Sequence, residues 1–310
     1  MIGSPQLSAP VVIMLFNRPE ETARVFEIVA RARPRTLLLV ADGPRATVPS
    51  DAERCTAARA VVGRIDWPCD VLRNFSDHNL GCLKRCASGL DWAFSQVDYA
   101  IVLEDDCLPH PSFFSYAETL LERYYHDERV VHIAGTSLGQ PFQTVNESYF
   151  YSRFPFVWGW ATWRRAWQHY DISMSDWPTL RQSGWLRTVL PDPNVAAAWE
   201  SIFDHVHADS CDDWAFQWIY TCWRLDGLSI IPCVNLVSNI GIVDGAAHMN
   251  DPQKWGHLMN RPVQAAPSVL TPPIVLAPLP SIEALIFRAV TTSGAAVHGI
   301  TVSDLPFPRG

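Results

Sequence analysis

Short, wholly apolar runs alternate with longer amphipathic stretches over the first 135 residues. Val11 to Leu15 is continuous hydrocarbon, which predicts a strand buried on both faces. NRPEETARVFEIVARAR follows, with Pro19 suited to a first helical turn and Val25, Ile28 and Val29 on one stripe. The same rules predict strands over 36–40, around Val71 and Leu72, over 99–103 and over 130–134, and helices over 83–96 and 112–125. Such alternation predicts an α/β fold: a mainly parallel, Rossmann-like sheet covered by helices on both faces. Open sheets of this kind bind ligands outside the carboxyl ends of their strands. Those exits carry Asn17-Arg18, Asp42-Gly43, Asn74 and Glu104-Asp105-Asp106, so these residues are expected around one crevice.

After about residue 136 the pattern changes. VWGWATWRRAW concentrates four Trp, and Trp185, Trp199, Trp214, Trp218 and Trp223 follow in stretches that read as helices. This Trp-rich half is expected to build the far wall of the crevice. Beyond Arg261 the chain is rich in Pro, which predicts an extended arm before a short helix over 282–289. The expected organisation is one domain over 1–260, with a ligand-binding half over about 10–135 and a catalytic half over about 136–260, then an arm over 261–310.

Composition narrows the classes. With 24 Lys and Arg against 32 Asp and Glu the formal charge is -8, the wrong balance for a nucleic-acid partner. The 13 Trp point to aromatic surfaces in a cleft as well as to core packing. Eight Cys without a paired C-x-x-C pattern read as free thiols in a reducing compartment, and Cys82 with Cys86 makes a poor zinc site. The apolar run ending at Phe16 is far shorter than a bilayer span and has no basic flank, so a cytoplasmic protein is expected. Peripheral contact at the inner face of the membrane stays open, as does oligomeric state.

The acidic triplet in AIVLEDDCLPH carries the sharpest chemistry. Three adjacent carboxylates at the mouth of a buried strand need a positive partner, and a divalent cation, Mn²⁺ or Mg²⁺, is the simplest. Successive side chains of an extended segment point to opposite sides, so the three acids divide the work. Asp106 is assigned to the metal, Asp105 to a ribose or to metal-bound water, and Glu104 to the nucleotide or donor sugar. The alternative is a solvated acidic turn. The Trp158-Gly159-Trp160 turn offers flat rings for stacking on a sugar, with core packing as the alternative. Arg164 and Arg165 suit a phosphate or an acceptor, or equally the surface of a helix.

FNRPEET, ADGPR, NLGCLKR, VLEDDCLPHPSFF and WGWATWRRAW together resemble bacterial nucleotide-sugar glycosyltransferases of the inverting GT-A superfamily, over about residues 11–250. The triplet also resembles that of the Golgi N-acetylglucosaminyltransferase acting on a mannose core. The resemblance implies a nucleotide-sugar donor, most simply a UDP-sugar, a divalent cation on its diphosphate, and displacement with inversion. It implies that Asn17, Arg18 and Asp42 flank the base and that Gly81, Lys84 and Arg85 meet phosphate. Asp213, with Asp212 second, holds the place of the catalytic base, although this chain carries Ala215 where many relatives place the acid. His248 matches a residue on the metal or diphosphate, and Asp244 is a weaker candidate. A glycan, a lipid-linked molecule or a small molecule would be the acceptor. A sugar-1-phosphate nucleotidyltransferase is the second enzyme reading, disfavoured because FNRPEET lacks a glycine-rich loop after the first strand. A nonenzymatic carbohydrate-binding protein is the third.

Overall fold

A computed structural model describes residues 6–137, 146–190, 192–208, 211–241 and 260–278, together with positions 280, 283, 286 and 287. Its centre is an eight-stranded sheet. Strand β1 (Val11–Leu15) lies between β2 (Thr36–Ala41) and β4 (Tyr99–Glu104), all parallel, with β3 (Asp70–Phe75) on the edge beside β2. On the other side of β4 runs β8 (Trp160–Trp163), antiparallel, followed by β6 (Val130–Ala134), β9 (Leu228–Pro232) and β7 (Tyr149–Ser152). The strand order is β3-β2-β1-β4-β8-β6-β9-β7. The expected α/β, Rossmann-like, mostly parallel sheet is therefore present. The sequence pattern missed β8, which crosses in the opposite direction between two strands that were read correctly.

Period-two alternation explains why the central strands are apolar throughout. Val11, Ile13 and Leu15 pack on one face, with Val25, Phe26 and Val29 of α1 (Pro19–Ala32) and Phe113, Ala117 and Leu120 of α4 (Ser112–Arg123). Val12 and Met14 face the other way, onto Leu83, Leu90 and Phe94 of α3 (Cys82–Gln96). Burying a Val- or Leu-sized side chain contributes about 1.5–3 kcal/mol, so a strand read by both faces is strongly held in register. Helix α2 (Asp51–Val61) escaped the sequence reading. Its DAERCTAARAV has only small residues and one Val on its packed face, Cys55, Ala58 and Val61, so the periodic signal is faint.

The Trp-rich half forms a second core. After the short α5 (Arg164–Trp167) and α6 (Trp177–Ser183), helices α8 (Pro193–His207) and α9 (Ala215–Arg224) pack Trp199, Phe203, Tyr220 and Trp223 around Trp177, with Phe150 and Phe154 beneath them. Trp185 precedes the four-residue α7 (Leu186–Val189) and Trp214 precedes α9, so the two sit at helix starts. The Pro-rich segment follows as an extended strap. Gln264 N–H donates to the Asn235 carbonyl at 2.8 Å, Ala266 N–H to Ser112 Oγ at 2.8 Å, and Thr271 N–H to Ser148 Oγ at 2.9 Å. Beyond it Glu283 accepts from Ser152 Oγ at 2.5 Å, where Ile286 and Phe287 join the second core. Among the described residues no helix is long and apolar enough to cross a membrane.

Candidate active site

The carboxyl ends of β1, β2 and β4 open on a cleft of about 270 Å³. Asn17, Arg18, Asp42, Gly81, Arg85, Glu104, Asp105, Asp106, Trp158, Asp212 and Asp213 all line it, so the strand exits do converge. Lys84 is exposed and lies off the lining. Trp160 is wholly buried, stacked between His132 at 5.2 Å and Trp214 at 5.5 Å, so it packs the core and offers no face to a ligand. Its strand inserts beside β4, which turns the ring inward. Arg164 and Arg165 are also structural: Arg164 holds the Phe94 carbonyl and pairs with Asp98 at 2.9 Å. Arg165 donates to the Tyr124, Tyr125, Asp127 and Val130 carbonyls over the Trp163 ring. His248 and Asp244 lie outside the described residues. Asn74 serves the site indirectly, by accepting both carbonyl-directed bonds of Arg85 at 2.7 and 2.8 Å.

At the exit of β1 the turn Phe16-Asn17-Arg18 is clamped from two sides. Phe16 N–H donates to Asp105 Oδ2 at 3.0 Å. Asn17 Nδ2 donates to Asp51 Oδ1 at 2.7 Å, and Arg45 makes a two-pronged ion pair with the same buried carboxylate while its guanidinium lies 5.3 Å over the Phe16 ring. Two-pronged Arg-carboxylate pairs fix orientation as well as charge. Asp51 opens α2, so sequence reading passed over its pair with Arg45 together with that helix.

Asp42 sits at the exit of β2 with its oxygens already engaged. Gly43 and Leu80 N–H donate to Oδ1 at 2.8 and 3.0 Å, while Asn79 Nδ2 and Gly81 N–H donate to Oδ2 at 2.9 and 3.2 Å. A carboxylate has about four acceptor sites. Asp42 thus shapes the loop before α3, and its capacity for a ligand N–H is largely taken. Burial pushes its carboxyl up, with the Leu80 and Gly43 amides and Arg85 opposing.

Helix α3 begins at Gly81, whose φ of 82° lies in the left-handed region that glycine adopts without strain. A side chain there would also come within 2.8 Å of Asp212 Oδ2. Asp212 caps this helix, accepting from Cys82 N–H at 3.1 Å and Leu83 N–H at 2.9 Å. The helix start expected to receive phosphate is therefore already occupied by a carboxylate from the opposite wall. Arg85, nearly buried, keeps an Nε with no partner among the described residues. Burial lowers its pKa, and neighbouring Asp42 works to retain its charge. One turn apart, the free thiols of Cys82 and Cys86 line the floor, and the hydrogen bond between them, then burial, holds the Cys82 thiol well above its ordinary range.

The acids at the end of β4 do not all behave alike. Arg18 Nη1 bonds Asp106 Oδ2 and lies 3.5 Å from Asp105 Oδ1. The positive partner demanded by the triplet is thus supplied by the chain itself. Burial works against the Arg18 charge, but Asp106, Asp105 and Glu104 more than offset it, and its pKa is raised. Asp105 is pushed up to about 7 by burial, against the pull of Arg18 and the Phe16 amide. The Glu104 carboxylate makes no hydrogen bond among the described residues, and burial, then Asp106, Asp213 and Asp105, raise its pKa well above the usual range. Asp213, buried at the start of α9, accepts from Ala215 N–H at 2.9 Å across the cleft from the triplet.

A small antiparallel pair, β5 (Cys107–Pro109) with β10 (Val237–Asn239), brings Asn239 opposite Cys107 and its amide within 3.4 Å of Asp106 Oδ1. Gly241 follows, with its backbone so close to Asp106 that a side chain would collide with Oδ2. Nothing in the local sequence links Asn239 to the triplet, because a ladder between segments 133 residues apart makes the contact.

Among the described residues no three His, Cys, Asp or Glu side chains form a ready metal cage. Mg²⁺ and similar hard cations commonly take only one or two carboxylates and complete their shell with water and substrate phosphate. The Glu104 carboxylate, which no side chain or backbone group pairs among the described residues, and Asp106 beside it in the same cleft fit that kind of site.

No protein-family model matches the chain, and no curated protein matches it. Among solved structures, a similar one is UDP-glucose pyrophosphorylase complexed with UDP-glucose, 9% identical over 47% of this chain with a TM-score of 0.27. The match covers 62% of that protein, so this chain spans less than two thirds of its length. A likeness this slight carries no inference about substrate.

Proposed function

We propose that the protein is a glycosyltransferase that moves a sugar, with inversion, from a nucleotide-diphosphate donor to an acceptor hydroxyl. A UDP-sugar is the donor we favour. The observation that carries the reading is the meeting of Glu104 and Asp106, at the carboxyl edge of a parallel sheet, with Asp213 from the opposite wall in one cleft. The motif resemblance points the same way.

In this reading Glu104 and Asp106 would hold a divalent cation, Mn²⁺ or Mg²⁺, which would supply neutralising charge for the donor diphosphate. Phe16, Arg45 and Asn79 form the end of the cleft for the base, around the loop that Asp42 organises. Arg85 supplies a buried positive charge toward phosphate, and Trp158 a partly exposed ring toward a sugar face. Asp213 is the base. As the acceptor oxygen bonds to the anomeric carbon, its proton passes to the Asp213 carboxylate, and the bond from that carbon to the diphosphate oxygen breaks with the electron pair leaving on the nucleotide. Asp212, engaged as the cap of α3, is a positioning residue.

The test is release of nucleoside diphosphate from a panel of sugar nucleotides, with and without Mn²⁺, in the presence of simple glycoside acceptors. Turnover of one donor that Asp213→Asn abolishes supports the reading. No binding and no turnover across the panel would sink it.

A further inference from the structure

Arg18 occupies the place on Asp106 where the sequence called for a cation. We propose that Arg18 is a displaceable internal counter-ion, which holds the acidic triplet in the nucleotide-free protein and gives way when a divalent cation arrives with a nucleoside diphosphate. This inference rests on the transferase reading and deepens it, by making metal and nucleotide binding mutually dependent.

Three features carry it. The guanidinium bonds Asp106 and lies 3.5 Å from Asp105, yet its side chain is 21% exposed and borders the open cleft, so it can leave without opening the core. Its backbone is separately anchored: Thr22 N–H and Thr22 Oγ1 both donate to the Arg18 carbonyl, at 2.9 and 2.5 Å, and Arg54 Nε holds the Asn17 carbonyl at 2.8 Å. Movement is therefore confined to a long flexible side chain. Finally, a guanidinium and a divalent ion on one carboxylate repel each other, so Asp106 serves one of them fully at a time. A nucleoside diphosphate resolves the conflict, because Arg recognises phosphate oxygens with the same fork geometry it uses on carboxylates. The metal takes Asp106 and the freed Arg18 takes the diphosphate.

Reciprocity makes this measurable. Mn²⁺ uptake is followed by the electron-paramagnetic-resonance signal of the free ion, alone and with UDP, in the wild type and in Arg18→Gln and Arg18→Lys. Without UDP, Arg18→Gln is expected to bind Mn²⁺ roughly tenfold more tightly than the wild type, a coupling of ordinary size. Arg18→Lys, which keeps the charge, stays close to the wild type. With UDP present the wild type gains Mn²⁺ affinity, and Arg18→Gln gains much less. A melting curve of each variant controls for folding, and the rise in melting temperature caused by Mn²⁺ alone should be larger in Arg18→Gln. If the wild type binds Mn²⁺ and Arg18→Gln binds it no more tightly, the counter-ion role is overturned while the transferase reading stands. If neither takes up Mn²⁺ with or without UDP, the inference and the metal-dependent reading fall together.

Discussion

The two halves of the molecule use buried polar and aromatic groups in opposite ways. At the carboxyl edge of the sheet, Arg18, Arg45, Asp51, Asp42 and Asp106 form short charged and amide bonds around a void. In the second half the rings pack on one another: Trp199 meets Trp223 at 4.9 Å beside Trp177 in one core, and Trp218 meets Trp160 and Trp167 at 5.4 and 5.2 Å in another, all of them buried. Abundant Trp therefore marks a core here, and the cleft owes its character to charge. Of the rings expected on the cleft, Trp158 remains partly exposed there, and Trp214 lines it while almost wholly buried.

The sharpest way to break that contrast is to remove a single carboxylate and a single ring and compare what is lost. On the proposed reading, Asp213→Asn should lower turnover of the donor about 10²- to 10⁴-fold while leaving the far-UV spectrum and the melting temperature nearly unchanged. Trp160→Ala should do the reverse, destabilising the fold by about 3–5 kcal/mol in denaturant titration, because it empties a stacked site between His132 and Trp214. Equal stability in that variant would mean the ring is not the core element described above.

His132 extends the test to pH. Its Nδ1 accepts from Trp218 Nε1 at 3.1 Å and its Nε2 meets the Phe156 carbonyl at 3.0 Å, so the proton resides on Nε2 and the ring is neutral. Burial brings its pKa down to about 3 from an ordinary 6.5. Between those values the unfolded chain binds a proton that the folded chain refuses. Stability from this group is therefore complete above pH 6.5 and falls as the pH drops toward 3, by at most about 1.4 kcal/mol per unit. The denaturant midpoint of His132→Gln should fall less steeply over that window than that of the wild type.

Smaller effects sharpen the polar side. Asp51→Ala strips Arg45 and Asn17 of their partner and should cost about 1–3 kcal/mol, with weaker binding of nucleotide measured calorimetrically. Lys84→Ala, at an exposed position off the cleft, should stay within about 0.5 kcal/mol and leave the KM for donor unchanged. A large rise in KM would return Lys84 to the phosphate role that its motif suggested.

Local pattern was enough for β1, β2, β4, α1, α3 and α4, because each is long or strongly apolar and its burial faces follow from period two or period 3.6. From those elements alone the convergence of Arg18, Asp42, Gly81 and the acidic triplet could be argued, since strand ends on one edge of a parallel sheet must be neighbours. What could not be read locally was who satisfies whom. Asp42 and Asp212 look in sequence like free acids at a turn, and only the packed loop and the opposing wall turn them into acceptors for backbone amides. Trp160 sits in the same short motif as Trp158, and only the insertion of β8 beside β4 separates a buried ring from one on the cleft.

The sequence by itself determined the apolar strands, their direction of reading and the demand for positive charge at Glu104-Asp105-Asp106, because periodicity and charge are local properties. Tertiary structure decided that Arg18 meets the demand, that Asn239 and Gly241 close around Asp106, and that Asp213 faces the triplet while Asp212 caps a helix. Each of these is a bond between residues far apart in the chain, whose partners are chosen by the packing of whole elements.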